Sequence, residues 1–263
     1  MEILVCVKRV PDTADAEVAL RPDGRGIREE DLAFGINEWD NYAVEEAIRL
    51  KEKHGGAVTV ATIGPAESED VLRRCLAMGA DDAVMIDEAS FRGADPYGIA
   101  RGLAGLARRK AYDLVLAGAL AGDDGYGMTG PVLAGYLGWP HATLVTSIEV
   151  EGKKIAVARE LEGGLEEILA VELPAVLTIQ TGINEPRYVS IMGIRKVRSK
   201  DIPVLAPADI GVGAGEVGEN ANLLRSLGLS TPPAGAEAVM LKGAPAEVAQ
   251  RILDIVKERG GVA

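Results

Sequence analysis

Leu114-Val115-Leu116-Ala117-Gly118-Ala119-Leu120-Ala121-Gly122-Asp123-Asp124-Gly125-Tyr126-Gly127-Met128-Thr129-Gly130-Pro131 begins with four apolar residues and runs through a glycine-rich turn into a helix from Pro131 to Leu137. An uninterrupted apolar strand of this kind is buried on both faces, as in a parallel sheet covered by helices. Free N–H groups and the dipole at a helix start suit a phosphate, and glycines allow it close approach. The turn matches neither the dinucleotide fingerprint nor the P-loop, whose lysine it lacks. On pattern alone, an ordinary strand–helix connection and an anion cradle serve equally well.

The same alternation extends outward in both directions. Ile3-Leu4-Val5-Cys6-Val7 reads as a buried strand, and Pro22-Asp23-Gly24 marks a hairpin turn within Val18 to Ile27. Ala43, Val44, Ala47, Ile48 and Leu50 fall at helical spacing from about Asn41 to Lys53, and Gly55-Gly56 ends that helix. Ala57 to Ile63 is a strand, Ser68 to Met78 a helix stopped by Gly79, and Ala83 to Ile86 a short strand. Asp95-Pro96 opens another helix with an N-cap and a proline in its first turn. Right-handed crossovers between such units build a doubly wound parallel sheet.

The period changes near Val145. Ile148 to Val157 alternates apolar and polar residues about Glu151-Gly152-Lys153, an antiparallel hairpin, and Glu166 to Val171 and Ala175 to Ile179 add two strands. The expected architecture is three-layer α/β, doubly wound and mostly parallel, with an antiparallel hairpin extension and a C-terminal arm ending in a helix. Residues 1–205 form the α/β domain. Residues 206–263 form the arm, poor in core-building side chains until a helix from about Pro245 to Arg259 with Val248, Ile252, Ile255 and Val256 on its apolar side. Such an arm needs its own domain or a partner to lie on.

Composition narrows the function classes. Hydrophobic residues make up 48% of the chain and aromatics 4%, so aliphatic side chains must fill the core. A formal net charge of −12 argues against nucleic-acid binding, which needs clustered Lys and Arg. No apolar run approaches the ~20 residues of a membrane span, and Met1-Glu2-Ile3-Leu4-Val5 lacks a signal-peptide pattern, so the expected location is cytoplasmic. Cys6 and Cys75 read as small buried hydrophobes, and with His54 and His141 they assemble no metal site.

Two further segments have chemical potential. In an open α/β sheet ligands settle beyond the carboxyl ends of strands, where the first strand ends in Lys8-Arg9. That basic pair would offset phosphate charge, and Asn37 or Asp40 would hold polar ligand atoms; alone, they read more simply as a solvated pair and a helix cap. The other segment, Asn184 to Lys200, sets Ile191, Met192 and Ile194 among basic residues in an acidic chain. A small apolar anchor with a charged rim is how docking surfaces are built. A helix packed on its own core has the same composition, which by itself favours that reading.

Taken together, five separated blocks resemble the β subunits of electron-transfer flavoproteins, within the adenine-nucleotide α-hydrolase-like superfamily. They are Val5 to Asp12, Tyr42 to Lys53, Leu76 to Asp81, Val157 to Glu167 running on to Leu173-Pro174-Ala175-Val176-Leu177-Thr178, and Asn184 to Tyr188. The resemblance runs from Met1 to about Gly211 and implies a heterodimer with a larger α subunit that holds the redox-active FAD. It implies AMP in this subunit, bound by Cys6, Lys8, Asn37, Glu38, Trp39, Asp40, Ile63, Gly118, Ala119, Gly122, Asp123, Asp124, Gly125, Tyr126, Gly127, Met128 and Thr129. It also implies docking of flavin dehydrogenases, such as acyl-CoA dehydrogenases, through Tyr188, Ile191, Met192, Ile194 and Arg195, and delivery of electrons to a quinone-linked or other acceptor. No residue is expected to act as acid, base or nucleophile.

The sequence departs from the family pattern in places. AMP-binding members carry three aspartates and then Asn-Gln-Thr-Gly, whereas Asp123-Asp124 is a pair and Gly127-Met128 replaces Asn-Gln. Smaller loop side chains, Asp40 and Pro131 resemble the electron-bifurcating relatives that hold a second FAD in this crevice, so FAD is the alternative occupant. Thr13 stands where many members have a tyrosine near the partner's flavin. A stand-alone adenine-nucleotide-binding stress-type protein is the reading from another class; its glycine-spaced ATP loop is not found.

Overall fold

The computed structural model describes every residue except 15, 214, 234, 236, 237, 262 and 263. The strands are β1 (Glu2–Cys6), β2 (Arg9–Pro11), β3 (Phe34–Ile36), β4 (Ala57–Gly64), β5 (Asp82–Asp87), β6 (Leu114–Gly118), β7 (His141–Glu151), β8 (Lys154–Leu161), β9 (Leu165–Glu172), β10 (Ala175–Ile179) and β11 (Val204–Leu205). The helices are α1 (Glu38–His54), α2 (Glu69–Met78), α3 (Pro96–Ala107), α4 (Thr129–Leu137), α5 (Ile191–Lys196) and α6 (Pro245–Glu258).

Nine strands form one sheet in the order β11-β5-β4-β1-β6-β10-β7-β8-β9. Pairing is parallel from β11 through β7 and antiparallel from β7 to β9, so the expected mostly parallel sheet with a hairpin extension is present. The chain first builds β4 and β5 on one side of β1, then crosses to β6 on the other. That reversal leaves a crevice beyond the carboxyl ends of β1 and β6.

Side-chain size explains the layers. Ile3, Val5, Leu114, Leu116 and Leu177 point to one face, where Ala43, Val44, Ala47 and Ile48 of α1 and Val71, Leu72 and Cys75 of α2 cover them. Leu4, Cys6, Val115 and Ala117 point to the other and meet Ala100, Leu103 and Ala104 of α3 and Leu133 and Ala134 of α4. Alternate residues of each central strand are buried on opposite faces, so these strands are almost wholly apolar, with Thr59, Thr62 and Thr178 as buried polar positions. Truncating one such leucine to alanine would cost about 2–5 kcal/mol.

Several findings lie outside the expected elements. A two-stranded ribbon, β2 with β3, closes the excursion between β1 and α1. Inside it the expected hairpin is present as a single bridge, Leu20 to Ile27, around the Pro22-Asp23-Gly24 turn. Just before the arm, Val204 and Leu205 join the sheet edge, and within the arm Ile210, Val212 and Val217 are buried against the α3 side of the core. The short helix α5 begins at Ile191, after Ser190, whose hydroxyl accepts from Gly193 N. None of the residues of α6 is buried.

Asp95 fastens the arm to the start of α3, beside the ion pair of Arg101 with Glu216 at 2.7 Å. Asp95 Oδ1 accepts from Tyr97 N and Gly98 N, each at 3.0 Å, and so caps the helix as expected. Its Oδ2 accepts from Leu223 N at 2.7 Å and Leu224 N at 2.9 Å, while Asn222 Oδ1 accepts from Asp95 N. Four arm and helix donors therefore converge on a single side chain.

Candidate functional site

The crevice at the reversal point encloses about 210 Å³ and is lined from four directions. Its floor is the end of β1, Cys6-Val7-Lys8, with Ala117 and Gly118 of β6. Asn37 and Asp40 stand on one side, the glycine turn from Ala119 to Thr129 forms the rim, and Ile63 with Ala94, Pro96, Ile99 and Leu103 makes an apolar wall.

The β2–β3 ribbon brings the start of α1 beside β1: Asn37 N donates to Lys8 O at 2.9 Å. Asp40 then reaches under the floor. Its Oδ2 accepts from Lys8 N at 2.7 Å and its Oδ1 from Gly118 N at 2.8 Å, so one buried carboxylate ties the ends of β1 and β6 together. A Cβ at Gly118 would collide with Asp40 and Trp39, which is why only glycine fits there. Burial pushes the Asp40 carboxyl up to about 7, against the two backbone N–H groups that favour its charge. Burial, and then the Asp40 charge, push the Cys6 thiol up to about 12, so it is an inert apolar floor.

Asn37 fixes the rim. Its Nδ2 donates to Leu120 O at 2.8 Å and its Oδ1 accepts from Gly122 N at 3.1 Å. Asn37 and Asp40, expected to hold polar ligand atoms, thus spend their side chains on the crevice wall. Lys8 Nζ lies 2.7 Å from both Asp123 Oδ1 and Asp124 Oδ2, bridging floor to rim. Burial alone would lower its pKa, but the two carboxylates outweigh this and hold it above the ordinary lysine value. Arg9, expected to share its role, turns away: it pairs with Asp70 and lies 4.2 Å from the Phe34 ring.

At the rim, Gly125 and Gly127 adopt positive φ and turn the chain into α4. Met128, the residue before α4, offers no side-chain cap, and helix geometry gives the N–H groups of Thr129 and Gly130 no intrahelical acceptor. Such donors at a cleft are a ready anion site. A Cβ at Gly130 would strike Thr178, so the helix start is pinned against β10.

Of the expected binding residues, Cys6, Lys8, Asn37, Asp40, Ile63, Gly118, Ala119, Asp124, Tyr126, Gly127, Met128 and Thr129 line this crevice. Glu38, Trp39, Gly122, Asp123 and Gly125 sit behind or beside it; Trp39 Nε1 instead donates to Gln180 Oε1 at 3.0 Å. The α3 wall was missed by sequence reasoning, although Pro96, Ile99 and Leu103 recur at helical spacing directly after the Asp95 cap.

A profile of the electron transfer flavoprotein domain matches residues 26–210. The chain is 37% identical to the electron transfer flavoprotein subunit beta of Methylophilus methylotrophus over 99% of its length and all of that relative's. The chain belongs to the β-subunit family of electron-transfer flavoproteins. The subunit beta of Bacillus subtilis is 35% identical over the full length of both chains. The human one is 40% identical over 81% of this chain and 84% of its own.

In this electron-transfer flavoprotein chain the other expected site is a separate surface. Tyr188, Ile191 and Met192 are 89%, 70% and 61% exposed, and Ile194 and Arg195 are exposed beside them. A helix seated on its own core through these positions would bury those apolar side chains, which are instead exposed. The segment is nonetheless held firmly. Arg73 Nη1 donates to Val197 O at 2.7 Å and Lys200 O at 3.1 Å, while Arg187 pairs with Glu45 at 2.9 Å and Glu52 at 2.8 Å. Asn184 Nδ2 donates to Glu46 Oε2 at 3.0 Å. Among the described residues no cluster able to hold a metal ion occurs, and no helix is long and apolar enough to cross a membrane.

Proposed function

We propose that the chain is one half of a heterodimeric electron-transfer flavoprotein, holding AMP in the β1–β6 crevice while FAD is bound with the α subunit. The observation that carries the AMP assignment is the crevice itself: the uncapped start of α4 at Thr129 and an apolar wall of Ile63, Pro96, Ile99 and Leu103 line the same cleft. The helix start suits a phosphate and the wall a flat base. A volume of about 210 Å³ falls below the ~300–1,000 Å³ usual for drug-sized ligands, which favours a mononucleotide over a second FAD.

Flavin supplies the electron-carrying chemistry when bound; this chain contributes binding surface, orientation and recognition. Asp40, buried and ligated by two backbone N–H groups, keeps the crevice floor in register. The exposed Tyr188, Ile191 and Met192, rimmed by Arg195 and Lys196, are the surface on which a flavin dehydrogenase would seat before electrons leave for a quinone-linked or other acceptor. The exposed apolar side of α6, with Ile252 and Ile255, supports packing of the arm on the α subunit.

Acid release of cofactors from the coexpressed heterodimer, quantified by chromatography, tests this reading. One FAD and one AMP per heterodimer are expected. Two FAD would establish the bifurcating alternative, and absence of any adenine compound beyond one FAD would overturn the crevice assignment.

A further inference from the structure

Lys8, Asp123 and Asp124 form a charged clasp across the mouth of the crevice that the binding role alone does not require. Each carboxylate lies 2.7 Å from the Lys8 ammonium, and the side chains are between about a quarter and two fifths exposed. Lys8 is the one cation among the described residues that line the crevice, since Arg9 is turned onto Phe34 and Asp70. Two carboxylates against one ammonium leave the mouth with a net charge of −1. A single phosphoryl group can be met at the uncapped start of α4, where Thr129 lines the crevice. Any further phosphoryl group must extend outward toward Asp123 and Asp124 and finds no unpaired cation there among the described residues. Like charges brought this close in a partly desolvated cleft repel strongly.

We propose that the Lys8–Asp123–Asp124 clasp is a specificity device that limits the occupant of the crevice to one phosphoryl group, rejecting nucleoside di- and triphosphates. The inference rests on the adenine-nucleotide reading of the crevice. Lys8 is shared between two acidic partners and so contributes no net attraction for an added phosphate. The clasp also closes rim to floor, which shortens the space along which a longer phosphate chain would run.

The test is equilibrium binding of adenosine, AMP, ADP and ATP, by calorimetry, to heterodimer stripped of nucleotide. The unsubstituted protein is expected to favour AMP over ADP by at least about tenfold, a step of about 1.4 kcal/mol. The double variant Asp123→Asn, Asp124→Asn removes the repulsion and frees the ammonium, so this preference should shrink by at least about tenfold, mainly through tighter ADP binding. Lys8→Met, which leaves the carboxylates unopposed, should weaken ADP more than AMP and spare adenosine. A double variant that keeps the original AMP-to-ADP ratio would overturn the clasp, as would a Lys8→Met protein that loses adenosine in parallel. Failure of every adenine compound to bind the unsubstituted protein would instead overturn the crevice reading itself.

Discussion

Replacing Asp40 with asparagine should change how stability depends on pH in a direction opposite to that of a salt-bridged carboxylate. The carboxyl is pushed up to about 7 by burial, against about 3.9 in an unfolded chain. Between those values the folded state holds a proton that the unfolded state has released. The stability this proton confers is complete below about pH 4, falls as pH rises through about 7, and changes no further above that. Roughly 2 of the 3 pH units of this window lie between pH 5 and 7, which at about 1.4 kcal/mol each gives a loss of roughly 3 kcal/mol between pH 5 and 8. The asparagine side chain has no proton to lose in this range. It does present an amide donor to either Lys8 N or Gly118 N, leaving one buried N–H unpaired at a cost of about 1–3 kcal/mol. Urea denaturation of both proteins at pH 5 and pH 8, with matched m-values, measures the difference. Asp40→Asn should be the less stable protein at pH 5, and the gap should close or reverse at pH 8. A gap that stays constant within about 0.5 kcal/mol, or widens in alkali, would refute the reasoning.

Three other substitutions address separate parts of the molecule. Thr129→Arg places a long side chain over the start of α4 and should empty the crevice; undiminished nucleotide in the purified heterodimer would show the site to be elsewhere. Ile191→Glu puts a charge at the centre of the exposed apolar cluster and should weaken electron uptake from a donor dehydrogenase by about tenfold or more, with nucleotide content unchanged. Arg187→Met strips the buried Glu45 of its main partner and should destabilise the chain by roughly 2–3 kcal/mol at pH 7, Arg49 still compensating in part. Burial works to raise the Glu45 pKa, but its hydrogen bonds with Arg187 and Arg49 more than reverse this, so the contribution exists above the ordinary carboxylate range and fades as pH falls through the lowered value. The two proteins should therefore converge in stability in acid, and a denaturant midpoint difference that does not shrink as pH is lowered would contradict that.

The central sheet was readable because its strands are uninterrupted apolar runs and its helices carry apolar residues at period 3.6, both consequences of burial on two faces. The β2–β3 ribbon was not, because Arg9-Val10-Pro11 and Phe34-Gly35-Ile36 are too short and too far apart to show a period. That omission also hid what Asn37 and Asp40 do, since the ribbon is what carries them to Lys8. A trace of the Asp40 role was present: with Ala43, Val44 and Ala47 it falls at i, i+3, i+4 and i+7, on the buried face of α1. The docking surface was ambiguous for the opposite reason, because composition does not say which way Ile191 and Met192 point. In the arm, Ile210, Val212 and Val217 are isolated among Gly and Pro, so no periodicity announced that they enter the core.

The double use of Asp95 has a mechanical corollary. Its neighbours Ala94 and Pro96 face the crevice, while its outer oxygen grips the backbone at Leu223 and Leu224. The tail and the apolar flank of the cleft are thereby geared to one another, so shortening the chain ahead of residue 222 would loosen that flank, and any ligand pressing on the flank would stiffen the tail.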